Sequence, residues 1–308
     1  MNPIDRVRFL ADLDRYMGML DRFGSEPSIG LPSGEGAGMP QVFFVDSGTG
    51  VNTNNGKRPS RAVATLDYAI GLCTASRGDI IVVLPGHAET YTAASSLVCD
   101  VAGVTVIGIG EGAERPTFTL SATTSTMTVT AASVHLENLL FITTAVVVAP
   151  LTVTGADFYG KDLAFRNSTT NTPVIGITLT TGAARATIDG LHYDTGTNTG
   201  ASGAIDITAV LNGITIKDCI IFGDFSDACI HSASAHTNTL IKGCMLTNLN
   251  TGDHSIEFTA AATGNLVENY YHTDMTQQTG VDPGSMFSFE CYQDDAIDTG
   301  AILTPIIT

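Results

Sequence analysis

Six short segments share one pattern: an apolar residue, a charged one, then Asn, Asp or Gly, then apolar, any, apolar. They are LENLLF from Leu136, GKDLAF from Gly160, IDGLHY from Ile188, IKDCII from Ile216, IKGCML from Ile241 and VENYYH from Val267, with departures at Gly160 and at His272. The third residues, Asn138, Asp162, Gly190, Asp218, Gly243 and Asn269, lie 24, 28, 28, 25 and 26 positions apart. A period of ~26 residues with strand-like runs inside each unit is the signature of a β-solenoid. Asn, Asp and Gly enter the left-handed backbone region most readily, so the third place predicts a tight corner of positive φ in every turn.

The neighbouring places fit this geometry. The residue after the corner reads Leu139, Leu163, Leu191, Cys219, Cys244 and Tyr270, and two places further come Phe141, Phe165, Tyr193, Ile221 and Leu246; both series are expected to stack in the core. The residue before the corner reads Glu137, Lys161, Asp189, Lys217, Lys242 and Glu268, an outward ladder whose signs mostly alternate between turns ~4.8 Å apart. A further strand precedes each motif: TMTVT, PLTVTG, GITLTT, AIDITA, CIHSAS and SIEFTA, rich in Thr and mostly alternating. About 250 residues in turns of ~26 make nine or ten turns and roughly 45 Å of length, wound right-handed by the general preference of parallel crossovers. The fold class is therefore all-β, a right-handed single-stranded parallel β-helix.

Ahead of the solenoid the pattern changes. Phe9, Leu13, Tyr16, Leu20 and Phe23 recur at steps of four and three, predicting a short amphipathic helix over residues 1–23. Residues 24–41 (GSEPSIGLPSGEGAGMPQ) have the composition of a flexible linker. Residues 42–100 read as strand, turn, helix and strand; the helix, with Val63, Leu66, Ala69, Ile70 and Cys73 on its apolar face, is the expected lid over the first turn. The turns are placed at 101–291 and an extended tail at 292–308.

Charge narrows the function. With 31 acidic against 14 basic side chains, a net charge of −17 and only 15% charged residues, the chain disfavours nucleic-acid phosphates and anionic lipid. No apolar run near the start reads as a secretory signal or a membrane span, so folding in a cytosol is expected. The six cysteines show no zinc spacing and are read as buried thiols. No cofactor is expected. Asp224, Asp227 and Asp253, on loops about one turn apart, are a weak candidate for calcium. Asp206, His231 and Glu257 fall at one outward place of three consecutive Thr-rich strands, 25 and 26 residues apart, and either form an acid/base or metal site or are a surface charge ladder. His87, beside a Pro-Gly turn, has no visible nucleophile to serve.

The stretches VFFVDSGTG, NNGKRPSRAVATLDYAIGLCTASRGDIIVVLPGHAETY and GVTVIGIGEGAERPTF resemble the cap and first turns of the pectin-lyase-like, right-handed parallel β-helix superfamily. That resemblance implies the fold; the superfamily spans lyases, hydrolases, adhesins and phage spikes. The basic residues its lyases use have no match in this chain. The cap together with a tethered amphipathic helix and the trailing DTGAILTPIIT also resembles phage virion proteins. This implies a homotrimer without enzymatic activity, decorating or cementing a capsid in a virion assembled in the host cytoplasm. Residues 3–23 would be its anchor, through Phe9, Leu13, Tyr16, Leu20 and Phe23, and its partner the major capsid protein or another virion protein. The alternative is a tailspike-type protein that binds or cleaves a host glycan through Asp206, His231 and Glu257.

Overall fold

A computed structural model describes residues 39–94, 97–167, 172–250, 252–273, 280–295 and 301–302. The predicted anchoring helix, and the linker up to residue 38, lie outside the described residues. The rest is a parallel β-solenoid with three sheets. Sheet A has ten strands, beginning with Val42–Val45 and Ile80–Val83 and ending with Phe287–Phe289. Sheet B runs from Ala88–Tyr91 to Tyr292–Asp295 and closes on Ala301–Ile302, which pairs antiparallel. Sheet C has eight strands, from Leu97–Cys99 to Val281–Asp282. Eight complete turns of one strand from each sheet follow, fewer than the nine or ten expected, because the first ~40 residues of the folded part build the cap. The first complete turn starts at Ile80, and strand pairing runs on into Tyr292–Asp295, inside the segment read as a tail.

The corner between sheets A and B is the feature the repeat encodes. Positive φ occurs at Asn138, Asp162, Gly190, Asp218 and Gly243, and then at Glu268 and Glu290. Each corner N–H donates to the carbonyl just before the next corner, from Asn138 to Lys161 at 3.0 Å through to Glu268 to Phe289 at 3.0 Å. The sixth motif is therefore shifted by one residue from the sequence reading. Glu268, not Asn269, turns the corner; Val267 takes the ladder place opposite Lys242; and Asn269, not Tyr270, lies in the core. The physical reason is that Asn269 works harder inside. Its amide accepts from Cys244 N–H at 2.9 Å and donates to the Ile241 carbonyl at 2.9 Å, so a buried polar side chain stays satisfied.

An alternation in the corners follows from contact between turns. A Cβ on Gly190 would lie 2.6 Å from Asp162 Oδ1, and one on Gly243 the same distance from Asp218 Oδ1. Each aspartate leans over the next corner and leaves room only for glycine. Inside, Phe118, Phe141, Phe165 and Tyr193 form an aromatic column with ring centroids 5.9, 5.0 and 5.8 Å apart. Gly160, the misfit of the second motif, is explained by Leu163 and the buried Phe158 ring, each of which would lie 3.0 Å from a Cβ placed there.

The lid is shorter than the sequence implied: helix α1 spans Leu66–Leu72, burying Leu66, Ala69 and Ile70 against the first turn. Val63 lies before the helix in extended backbone bridged to Val45, and Thr65 sets the boundary as N-cap, its hydroxyl accepting from Tyr68 N–H. The fully buried Asp79 pins both sides of this end, receiving the N–H groups of Gln41 (2.8 Å) and Thr74 (2.7 Å) and a two-pronged contact from Arg77 at 2.6 Å. Burial alone would raise the Asp79 pKa; Arg77 and the two backbone donors hold it below the usual carboxylate value.

Gly243→Ala should lower the guanidinium unfolding midpoint by about 1–2 kcal/mol equivalent, from the left-handed backbone and the Asp218 contact. Gly71→Ala, in α1 with open space around it, should raise it by up to about 1 kcal/mol. Equal effects at the two sites would contradict the corner reading.

Candidate functional site

Parallel in-register pairing turns one sequence position into a column. In sheet C one outward column reads Val98, Thr128, Thr152, Thr178, Asp206, His231, Glu257 and Asp282. The three candidate residues thus stand on consecutive rungs of one face. His231 Nδ1 lies 3.0 Å from Asp206 Oδ1, Nε2 lies 3.9 Å from Glu257 Oε2, and all three side chains are half-buried. The hydrogen bond to Asp206 raises the His231 pKa above 6.5; burial opposes it, and the charges of Asp206, Asp227 and Glu257 add to the rise.

Chemically the trio is an imidazole clamped between two carboxylates. Asp206 and Glu257 are two rungs apart, and their distances to His231 hold their carboxyl oxygens within about 9 Å of each other, inside the span of an inverting glycosidase pair. The imidazole, however, fills the gap in which a water or a glycosidic oxygen would have to sit. Upstream the same column holds Val98 and then three threonines. Asp224, Asp227 and Asp253 come near enough to act on one another's charge without forming a cation cage. Among the described residues, no group of three or more His, Cys, Asp or Glu side chains is arranged to hold a metal ion. Burial, Asp227 and Asp224 raise the Asp253 pKa, against the pull of His254.

The ladder in sheet A forms ion pairs between turns: Lys161 with Glu137 at 2.7 Å, Lys217 with Asp189 at 2.8 Å and Lys242 with Glu268 at 3.2 Å. Glu268 joins it from the corner instead of the strand. Tyr159 donates to Asp189 at 2.6 Å. Burial would raise Asp189; Lys217 and Tyr159 hold it below the ordinary value. Half-exposed pairs of this kind contribute at most about 1 kcal/mol each.

A polar knot that the sequence did not reveal lies under the cap. The buried His87 ring accepts Ser47 N–H at Nδ1 (3.0 Å), which leaves its proton on Nε2 to donate to Glu89 Oε1 at 2.7 Å. Glu89 also receives Leu66 N–H at 2.7 Å and the Tyr91 hydroxyl at 2.6 Å. Burial and Glu89 push the Tyr91 phenol up. Because Nδ1 is occupied by a backbone donor, His87 is not poised to activate a hydroxyl; the knot binds the first loop, α1 and sheet B. Only the same-face spacing of His87, Glu89 and Tyr91 hinted at it, since Ser47 and Leu66 arrive from far along the chain.

Among solved structures, a rhamnogalacturonan lyase aligns with a TM-score of 0.58 at 14% identity, covering 76% of this chain and 68% of its own. Pectate lyase Pel9A aligns with a TM-score of 0.51 at 11% identity, covering 82% of this chain and 80% of its own. The fold is the parallel β-helix that these two lyases also have. A Geobacillus virus E2 protein (ORF18) is a more distant neighbour of this β-helix, with a TM-score of 0.46 at 9% identity, covering 93% of this chain and 64% of its own. No family model and no curated protein matches the sequence. Among the described residues of the β-helix, no helix is long and apolar enough to cross a membrane.

The His231 imidazole should titrate above 6.5 by NMR, and Asp206→Asn should bring it down. A raised folded-state pKa stabilises fully below the unfolded value and is lost as pH rises through the folded one. His231→Gln should therefore cost more stability at pH 6 than at pH 8.5; a cost independent of pH would refute the clamp.

Proposed function

We propose that this β-helix is a non-enzymatic structural protein of a virus particle, a homotrimer that decorates or cements the capsid and is anchored through its N-terminal arm to the major capsid protein or another virion protein. The observation that carries the reading is where the arm leaves. Gln41 is fastened to the buried Asp79 at the lidded end of the solenoid, so residues 1–40 attach at one end of the rod, with the eight turns stacked beyond. An anchor at Phe9, Leu13, Tyr16, Leu20 and Phe23 and a rod in series is the layout of a part fixed at one end. The columns support it: the Asp206–His231–Glu257 clamp and the sheet A ladder join turn to turn, leaving their polar groups engaged with one another. A negative surface also limits adventitious binding to nucleic acid.

Removing residues 1–41 should abolish binding to particles lacking the protein while leaving the far-UV circular dichroism of the solenoid in place. Undiminished binding in a sedimentation assay would sink the anchoring role.

One observation favours a second reading, a glycan-binding or glycan-cleaving spike. Asp206, His231 and Glu257 do meet on one accessible face, where the imidazole stands within reach of both carboxylates. Incubation with host surface glycans separates the two. Chain shortening that is lost in Asp206→Asn and Glu257→Gln would favour the spike; glycans left intact by the unaltered protein favour the structural role.

A further inference from the structure

Sheet B has an outward column of its own, with a different character. It reads Thr117, Leu140, Ala164, His192, Ile220, Met245, Tyr270 and Tyr292. Leu140 and Ala164 are covered, but over the last four turns the column is open: Ile220 is 48% exposed, Met245 49%, Tyr270 38% and Tyr292 51%. Phe222, beside Ile220 on the same face, is 37% exposed, and across the corner the last strand of sheet A presents Phe287 and Phe289 at 54% and 49%. Soluble chains show large apolar side chains singly; four on consecutive rungs with aromatic neighbours make a contiguous patch of the kind that marks an interface.

We propose that this stripe is the surface on which copies of the chain pack side by side. The inference rests on the homotrimer reading above and names its contact. Two features of the molecule select a second copy as the occupant. The first is charge: each chain carries −17, so copies repel wherever their acidic faces meet, and the stripe carries no charged side chain over four turns. A basic partner would be drawn to the acidic faces and gain nothing from a neutral apolar strip. The second is pitch. The rungs repeat at the strand spacing of ~4.8 Å, and side chains set at that interval interdigitate in step with a surface of the same rise. Another copy has that rise by construction. A stable interface of about 800 Å² per partner exceeds the stripe alone, so Phe287 and Phe289 extend the contact round the corner, where the exposed Glu290 marks its charged rim, and the aromatic residues are its anchors.

Light scattering on the full chain at tens of micromolar should give three times the 32.1 kDa chain mass. Met245→Glu combined with Ile220→Glu should give the single-chain mass with an unchanged circular dichroism spectrum. Val210→Glu, 75% exposed on a turn away from the stripe, should stay assembled. A photo-crosslinking amino acid in place of Met245, in an otherwise unaltered chain, should link chains to one another, and this readout survives if the double variant does not fold. A single-chain mass for the unaltered protein, or a trimer without crosslinks from position 245, overturns the inference. Particle binding is read separately through residues 1–41. An assembled chain that fails to bind particles refutes the anchoring role and leaves the interface standing; a bound monomer does the reverse.

Discussion

Everything in this molecule depends on each turn pairing in parallel and in register with the next. That one constraint converts a linear sequence into columns, because a residue's neighbours above and below are its equivalents ~25 positions away. A hydroxyl column, a charge column and an apolar column run side by side on the outer faces, and an aromatic one runs inside. Side-chain chemistry is consequently read down a column. His231 is a clamp because Asp206 and Glu257 share its rung position, and the same imidazole among the threonines upstream would have no carboxylate to meet.

A stack of this kind has two ends that cannot pair with themselves, and the chain treats them differently. At the first, α1, the Asp79 hub and the His87–Glu89 knot combine apolar cover with buried, fully engaged polar groups, joining segments far apart in sequence. At the other, sheet B is closed by the short antiparallel Ala301–Ile302, while Phe287–Phe289 is the outermost described strand of sheet A. The open apolar stripe lies toward this second end. Polarity is thus built into the rod: one end is closed over by the cap, the other leaves apolar side chains exposed.

Most of the fold was legible in the sequence because its rule is local and repeats. A corner that needs positive φ selects Asn, Asp or Gly, and the flanking apolar places follow from strand alternation. The reading slipped by one at Val267 to His272, where the chain uses Glu268 for the corner and draws Asn269 inside. Residue preference pointed to the asparagine, and only its long-range bonds to Ile241 and Cys244 show why it sits elsewhere. The column of Asp206, His231 and Glu257 could be found from spacing alone, because register carries it. The Ser47–His87–Glu89–Leu66 knot could not, since it joins parts of the cap that do not repeat. The apolar stripe escaped for another reason. Ile220 and Met245 occupy the "any" place of the motif, where variation is expected; Tyr270 reaches that place only through the one-residue shift at Glu268, and Tyr292 lies in the segment read as a tail, so the column emerges only when the rungs are stacked.

The corner alternation has a consequence for how such a rod can change length. Asp162 needs a glycine above it at 190, and Asp218 needs one at 243. Excising the single turn between Gly190 and Asp218 would set one aspartate directly over another, bringing two carboxylates together at a crowded bend. Excising two turns restores Asp over Gly. In this stretch, then, the unit of growth or loss by duplication and deletion is the pair of turns, ~50 residues long, twice the repeat that the strands alone define.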